Sequence, residues 1–388
     1  MSSTGEAAGT LSAPQVERYH RQIILPELGL AGQRDLLARR VLVVGAGALG
    51  SPAALYLAAA GVGTIGIADG DRVDVSNLHR QVLHGTGDVG RPKTASAKNR
   101  LAALNPGVRV VEHRQYLDRT NVLAVMAQYD VVVDGSDSFA TRYLVNDAAV
   151  QLGKPLVSAA ILRFEGQLLV FRPGAGCYRC VFPEPPPAGT VPNCAEAGVL
   201  GAVAGVVGSA QAVEALKLLA EVGEPAVGRL SLYDAWTGTW QQVRFHRDPT
   251  CAVCGDRPTI TSLIDYDAWC GVPADSASEG APEVSAEEAW RLHQSGVPLV
   301  DVRPLAEYRR GHVRGSVPVG PVADGSDLPA SVAGAAAPLV VCVCLQGVRS
   351  AQAARRFSAA GQRAVSLQGG LLAWARAGLP WDSSSAGD

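Results

Sequence analysis

Residues 41–51 read VLVVGAGALGS, four apolar residues running into Gly45, Gly47 and Gly50 and then into a helix-like stretch, SPAALYLAAAG. Glycines at this G-x-G-x-x-G spacing let a chain leave a strand by a sharp turn and bring backbone N–H groups against phosphate at the positive end of a helix. Outward from this turn the same punctuation repeats. The runs TIGIADGD (64–71), RVVEHRQY (109–116) and DVVVDGSD (130–137) are strand-like and separated by helix-like segments. That alternation predicts an α/β fold of Rossmann type, a parallel sheet with helices on both faces. Beyond residue 160, EGQLLVFRPG (165–174) and GRLSLYDAWTGTWQQVRFHR (228–247) read as antiparallel strands that extend the sheet and make it mixed.

Composition sets the outer bounds. The 388 residues are 47% hydrophobic and 18% charged, enough for two domains that each bury a core. With a net charge of −2, no long basic run and 5% aromatic residues, nothing points to nucleic acid. The opening MSSTGEAAGT has neither the charged start nor the apolar stretch of a secretion signal, so the expected compartment is cytoplasmic and the eight cysteines are expected as thiols or metal ligands. The uncharged stretch 197–213, AGVLGAVAGVVGSAQAV, holds Gly201 and Gly205 at G-x-x-x-G spacing but is short, glycine-diluted and stopped by Glu214. It reads as a packing helix, not a membrane span.

A second domain follows a Pro-, Gly-, Ala- and Ser-rich stretch, GVPADSASEGAP (271–282). The expected division is an ATP-binding domain over 14–258, a linker over 259–282 and a small α/β domain over 283–384. Ser285 and Glu288 form an S-x-x-E capping box at the start of a helix, and VPLVDVRP (297–304) and PLVVCVC (338–344) read as buried strands.

Three groups of residues carry chemistry. In the first domain, Asp69 ends the strand after the glycine turn, where a carboxylate can meet ribose hydroxyls, and Asn77 and Arg80 (VSNLHRQ), Lys93 (GRPKTASAK) and Asp137 (DGSDSFATR) follow successive elements. The glycine turn alone fits an NAD-binding fold equally well. Hydride transfer, however, has no use for several cations and a carboxylate near phosphate, whereas attack on the α-phosphate of ATP does, the cations offsetting charge and the aspartate holding Mg²⁺. The second group is two C-x-x-C pairs, Cys177/Cys180 and Cys251/Cys254, with the spacing of a closed structural Zn²⁺ site, against the alternative of a redox dithiol. The third is Cys344 at a strand end, followed by Gly347, Arg349 and Ser350 at the start of a helix whose amides can stabilise a thiolate and a persulfide. Four residues separate Cys344 from Arg349; cysteine phosphatases of related fold have five, so the shorter loop favours sulfur over phosphate. Cys342, on the same strand face, reads as buried filler.

Together RYHRQIIL, GAGALGS, SNLHRQ, RPK, DGSDS, CYRC, CAEAGV and CAVC, in this order, resemble the adenylyltransferases that activate ubiquitin-like sulfur carriers, while DVRPLAEYRRGHV and CLQGVRS resemble rhodanese. The resemblance implies that Asp69 binds the ATP ribose and that Arg80 and Lys93 contact phosphates. It also implies that Asp137 serves Mg²⁺, that Arg21 reaches across a homodimer into the partner's site, and that Cys194 (VPNCAEAGV) handles sulfur or bonds the carrier. The implied reaction is adenylation of a Gly-Gly-ended carrier, followed by persulfide transfer from the second domain to give a thiocarboxylate. The sulfur donor stays open between sources such as a cysteine desulfurase and thiosulfate. An NAD-linked oxidoreductase with an accessory domain and a non-catalytic carrier scaffold are the alternatives; neither predicts carrier-dependent pyrophosphate exchange.

Overall fold

The computed structural model describes residues 11–186, 198–270, 281–322 and 339–382. The chain divides into two compact units, Met1–Val272 and Pro273–Asp388.

The first unit is built on an eight-stranded sheet in the order β3-β2-β1-β4-β5-β6-β7-β8. Strands β1 (Arg40–Val44), β2 (Thr64–Ala68), β3 (Arg109–His113), β4 (Val131–Asp134) and β5 (Leu156–Leu162) pair in parallel. Strands β6 (Glu165–Phe171), β7 (Arg229–Asp234) and β8 (Thr239–Arg244) continue the sheet antiparallel. The sheet is thus mixed, as the change of pattern after residue 160 predicts. Strand β1 shows why the parallel run is apolar throughout. Val41 and Val43 enter one core layer beneath α3 (Gly50–Ala60), α4 (Lys93–Leu104) and α8 (Gly201–Ala220). Leu42 and Val44 enter the other, beneath α5 (Val122–Met126) and α6 (Phe139–Leu152). A strand covered on both faces has no solvent side to make polar.

Helix α8 is 20 residues long and apolar enough to cross a membrane by length and composition. Here it lies against the sheet, with the buried Gln211 donating to the carbonyls of Asp134 and Val157 at 2.8 and 3.3 Å. The glycine pattern is only half used for packing. A Cβ on Gly201 would come 2.3 Å from the His79 carbonyl and one on Gly208 2.5 Å from that of Leu49, whereas a Cβ on Gly205 would meet nothing within 4 Å.

The second unit has a five-stranded parallel sheet, β12-β10-β13-β14-β9. Its strands are β9 (Glu283–Val284), β10 (Leu299–Asp301), β12 (Val317–Pro318), β13 (Val340–Val343) and β14 (Ala364–Leu367). A separate antiparallel pair joins β11 (His312–Val313) to β15 (Trp381–Asp382). Helices α9 (Ala286–Gln294), α10 (Leu305–Arg310), α11 (Val348–Ala359) and α12 (Gly370–Arg376) complete it. Val340 and Cys342 face the core with Phe357, and Val341 and Val343 the core with Trp374. The predicted capping box forms by halves. Ser285 Oγ accepts the Glu288 N–H at 3.2 Å, but the Glu288 carboxylate turns outward to Arg291.

Candidate active site

Three loops meet where β1, β2 and β4 end. The Gly45 N–H donates to the Ala68 carbonyl at 2.8 Å and the Gly135 N–H to that of Val44 at 2.9 Å. Gly45 has φ +86°, and a Cβ there would press to 3.1 Å from the Gly135 carbonyl. At Gly50 it would lie 1.8 Å from the Gly45 carbonyl, which no side chain survives. Gly47 differs: a Cβ there would meet only Gln81 Nε2, at 3.8 Å. Helix α3 opens behind this turn with no side-chain cap; the Ser51 N–H donates to the Gly47 carbonyl at 3.0 Å and Pro52 has none to offer.

Asp69 ties this turn to the next strand. Its Oδ2 accepts the Ala46 N–H at 2.8 Å and its Oδ1 the Asp71 N–H at 2.7 Å. Lys93, at the first position of α4 and buried, places Nζ 2.7 Å from Asp71 Oδ2 and 3.9 Å from Asp69 Oδ2. Burial raises the Asp69 pKa, against the pull of Lys93 and the two amides. At Asp71 burial acts upward too, but the hydrogen bonds from Lys93 and Tyr116 outweigh it and hold the carboxyl below its ordinary value. The Tyr116 hydroxyl donates to Asp71 Oδ1, and that bond, with burial and the charges of Asp71, Asp69 and Asp137, pushes the phenol up to about 12. Asp137 is exposed after β4.

Arg80 and Asn77 come together on the loop after β2. Arg80 Nη2 donates to Asn77 Oδ1 at 2.9 Å and Nη1 to the Ser76 carbonyl at 3.1 Å. Arg21 stands exposed in the last turn of α1 (Ala13–Ile23), and Cys194 lies outside the described residues. Sequence reasoning missed three participants. Asp71 and Tyr116 become partners only because β3 lies beside β2, and the D-G-D spacing of residues 69–71 was the available hint. The buried His84 joins the turn from elsewhere: its Nε2–H donates to the Ala46 carbonyl and its Nδ1 accepts from Ser96 Oγ, each at 2.9 Å.

The four C-x-x-C cysteines converge at one point of the same unit. Cys177 precedes the short helix α7 (Tyr178–Val181), and all four sulfurs lie within 4.8 Å of one another. The Cys177–Cys251 and Cys180–Cys254 separations are 3.7 and 3.3 Å. Zinc–sulfur bonds of about 2.3 Å in a tetrahedron put sulfurs roughly 3.8 Å apart, so these residues fit a closed zinc site. Burial, followed by the charges of its three neighbours, drives the Cys177 thiol well above its ordinary pKa, a cost that a cation would remove.

In the second unit Cys344 follows β13 and is buried. Its Sγ accepts the N–H groups of Gly347 at 3.2 Å and Ser350 at 3.3 Å, with the Ser350 hydroxyl 3.4 Å away. Gly347 reaches this geometry at φ +99°, as the cap of α11. Ser366 fixes Ser350 from behind at 2.9 Å. Arg349 is directed instead at Glu307. Cys342 is fully buried, and burial, then the charge of Cys344, pushes its thiol up to about 12; among the two it is the inert one.

Residues 19–253 match the model of the ThiF family, and residues 285–377 that of the rhodanese-like domain. The chain is 46% identical over 383 residues to a probable adenylyltransferase/sulfurtransferase, MoeZ, of Mycobacterium tuberculosis, covering 96% of this chain and 95% of that protein. It is 54% identical over 264 residues to a sulfur carrier protein adenylyltransferase of Thermus thermophilus, covering 66% of this chain and 97% of that one. To the adenylyltransferase and sulfurtransferase MOCS3 of Sus scrofa it is 50% identical over 307 residues, 76% of this chain and 68% of that one. Among solved structures, E. coli MccB with MccA-N7isoASN superposes with a TM-score of 0.56 at 25% identity, over 61% of this chain and 74% of that one.

Proposed function

Since this chain belongs to the ThiF family and ends in a rhodanese-like domain, we propose that it adenylates the C-terminal Gly-Gly carboxylate of a ubiquitin-like sulfur carrier and then converts it to a thiocarboxylate. The observation that carries this reading is the buried Lys93 between Asp69 and Asp71, beside a glycine turn that opens a helix with no side-chain cap. A carboxylate makes no useful acyl acceptor until its oxygen is joined to a better leaving group, and AMP supplies one. The carrier carboxylate is itself the nucleophile, so the chain needs no general base. Its task is to hold carboxylate and α-phosphate in line and to offset the charge that develops there. Asp69 positions the ribose, while Lys93, Arg80 and the amides behind Gly47 face the phosphates, Asn77 holding Arg80 in place. A bound Mg²⁺ would share that phosphate charge, with Asp137 as its protein ligand. The four-cysteine cluster would hold Zn²⁺ with no position left for water, a structural role.

In the second step the persulfide on Cys344 attacks the acyl adenylate, AMP leaves, and a second thiol cleaves the resulting acyl disulfide; Cys194 is our candidate for that thiol. We place the reaction in the cytoplasm, in keeping with a chemistry that runs on a reduced Cys344. We also propose a homodimer in which Arg21 completes the partner's site. The exposed Tyr56 and Val213, which line one cleft between α3 and α8, are the apolar surface such contact would cover.

The test is pyrophosphate exchange that depends on a Gly-Gly-ended carrier. Lys93→Ala is expected to lower it at least 10²-fold, on the order of 3 kcal/mol of electrostatic stabilisation. Exchange that is independent of carrier, or a near-normal rate in the variant, overturns the assignment.

A further inference from the structure

The loop around Cys344 carries a charge arrangement that sulfur transfer as such does not require. Its sulfur is met by neutral groups: it accepts the amides of Gly347 and Ser350, while the Ser350 hydroxyl, 3.4 Å away, donates to the Gly347 carbonyl. The one cation in CLQGVRS, Arg349, is engaged fork to fork: Nη1 and Nη2 lie 3.2 and 2.9 Å from the two carboxylate oxygens of Glu307 on α10. Such a pair is held in direction as well as in charge. Nearby Arg303 is buried and spent on Asp301 and the Gly311 carbonyl. The unit contains no lysine, and its stretch 323–338 contains no Lys, Arg or His.

Donors differ sharply in the charge they bring to this place. When the Cys344 thiolate attacks the outer sulfur of a persulfide R–S–SH, the S–S bond breaks and its electron pair leaves on R–S⁻. The proton of the outer sulfur passes to that thiolate, so the products are Sγ–S⁻ on Cys344 and R–SH, with one negative charge throughout. With thiosulfate the same attack expels sulfite, and three negative charges share the loop from start to finish. Two amides can serve the first case. The second calls for a free cation, and Arg349, the cation of the loop itself, is already neutralised.

We propose that Glu307 is a specificity-determining residue of sulfur loading: by pairing with Arg349 it directs Cys344 to persulfide donors and against dianionic thiosulfate. This rests on the relay proposed above and names its donor class.

The experiment loads the full-length protein with glutathione persulfide or with sodium thiosulfate and follows sulfur on Cys344 by mass spectrometry. The wild-type kcat/KM is expected to favour the persulfide by about 100-fold or more, and Glu307→Gln to raise loading from thiosulfate by about 10-fold while changing loading from the persulfide less than about threefold. Equal or better loading of the wild type from thiosulfate overturns the inference whether or not the variant folds. A parallel loss with both probes in Glu307→Gln overturns it as well, since Glu307 would then only hold the loop in shape. If thiosulfate is preferred while carrier thiocarboxylate still forms, only the donor assignment falls; if neither probe loads Cys344, the relay falls with it.

Discussion

Gly47 and Gly50 stand three residues apart in one turn and answer to different demands. A methyl group on Gly50 would occupy the space of the Gly45 carbonyl, 1.8 Å away, so Gly50→Ala must shift the backbone and is expected to cost about 3 kcal/mol or more of stability. Gly47→Ala meets only Gln81 Nε2, at 3.8 Å, and is expected to melt like the wild type; on the proposed reading, in which phosphate approaches this turn, it is expected to raise the KM for ATP. Thermal melts read beside carrier-dependent exchange separate the two; a destabilised Gly47→Ala with an unchanged KM would refute the division. His84 adds a pH signature. Burial, aided by the charge of Lys93, holds its pKa below the ordinary value against the bond to the Ala46 carbonyl and the charges of Asp69 and Asp88. The unfolded chain then binds the proton more readily, so the stability His84 contributes is complete above the unfolded pKa of about 6.5 and is lost as pH falls from there through the folded pKa. His84→Asn is expected to flatten that acid limb of the melting curve. Spacing along the chain revealed the glycines, Lys93 and Asp69. It could not reveal Tyr116 or His84, which enter only once strands and loops distant in sequence are set side by side.

At the scale of elements, the cysteine cluster shows how two short turns close one corner of the sheet. Arg179, between Cys177 and Cys180, is buried, with Nη2 2.8 Å from the buried Asp147, and that carboxylate also accepts the Tyr266 hydroxyl at 2.7 Å. The guanidinium lies 4.9 Å from the Tyr143 ring and 4.2 Å from that of Trp269. The CYRC turn therefore holds α6 and the turn at Tyr266–Trp269 as well as the second cysteine pair. Cys254→Ser is expected to lose about one zinc per chain and to lower the melting temperature by several degrees, measured by elemental analysis and calorimetry. A metal-free protein of full stability would show that the four thiols serve another purpose. The strands and the paired C-x-x-C motifs were legible because burial on two faces and metal geometry each impose a strict pattern. The close-packing role of Gly208 in α8 and the outward turn of Glu288 were not, since each depends on which neighbour competes for it.

Across the whole molecule one physical device appears twice. In each unit chemistry gathers at the carboxyl ends of parallel strands, where a glycine turn opens a helix: Gly45–Gly50 before α3, and Gly347 before α11. The electrostatic demands nevertheless differ. The first site sets a buried lysine against carboxylates, and the second offers two amides to one sulfur. Because adenylation and the loading of sulfur onto Cys344 are assigned to different residues, these two steps are expected to fail independently. Cys344→Ala should form carrier adenylate at the wild-type rate and yield no thiocarboxylate. Lys93→Ala should load sulfur on Cys344 normally from a persulfide and yield no adenylate. Mass spectrometry of the carrier and of the Cys344 peptide reads both steps in one reaction. Full thiocarboxylate formation by Cys344→Ala with the same donor would sink the relay, and loss of adenylation in that variant would mean that the sulfur unit takes part in the first step. The contrast holds for an obligate order: adenylation must precede attack by the persulfide, whereas sulfur loading waits on neither ATP nor carrier. Preloaded Lys93→Ala should therefore keep its sulfur when carrier and ATP are added, while preloaded wild type gives it up.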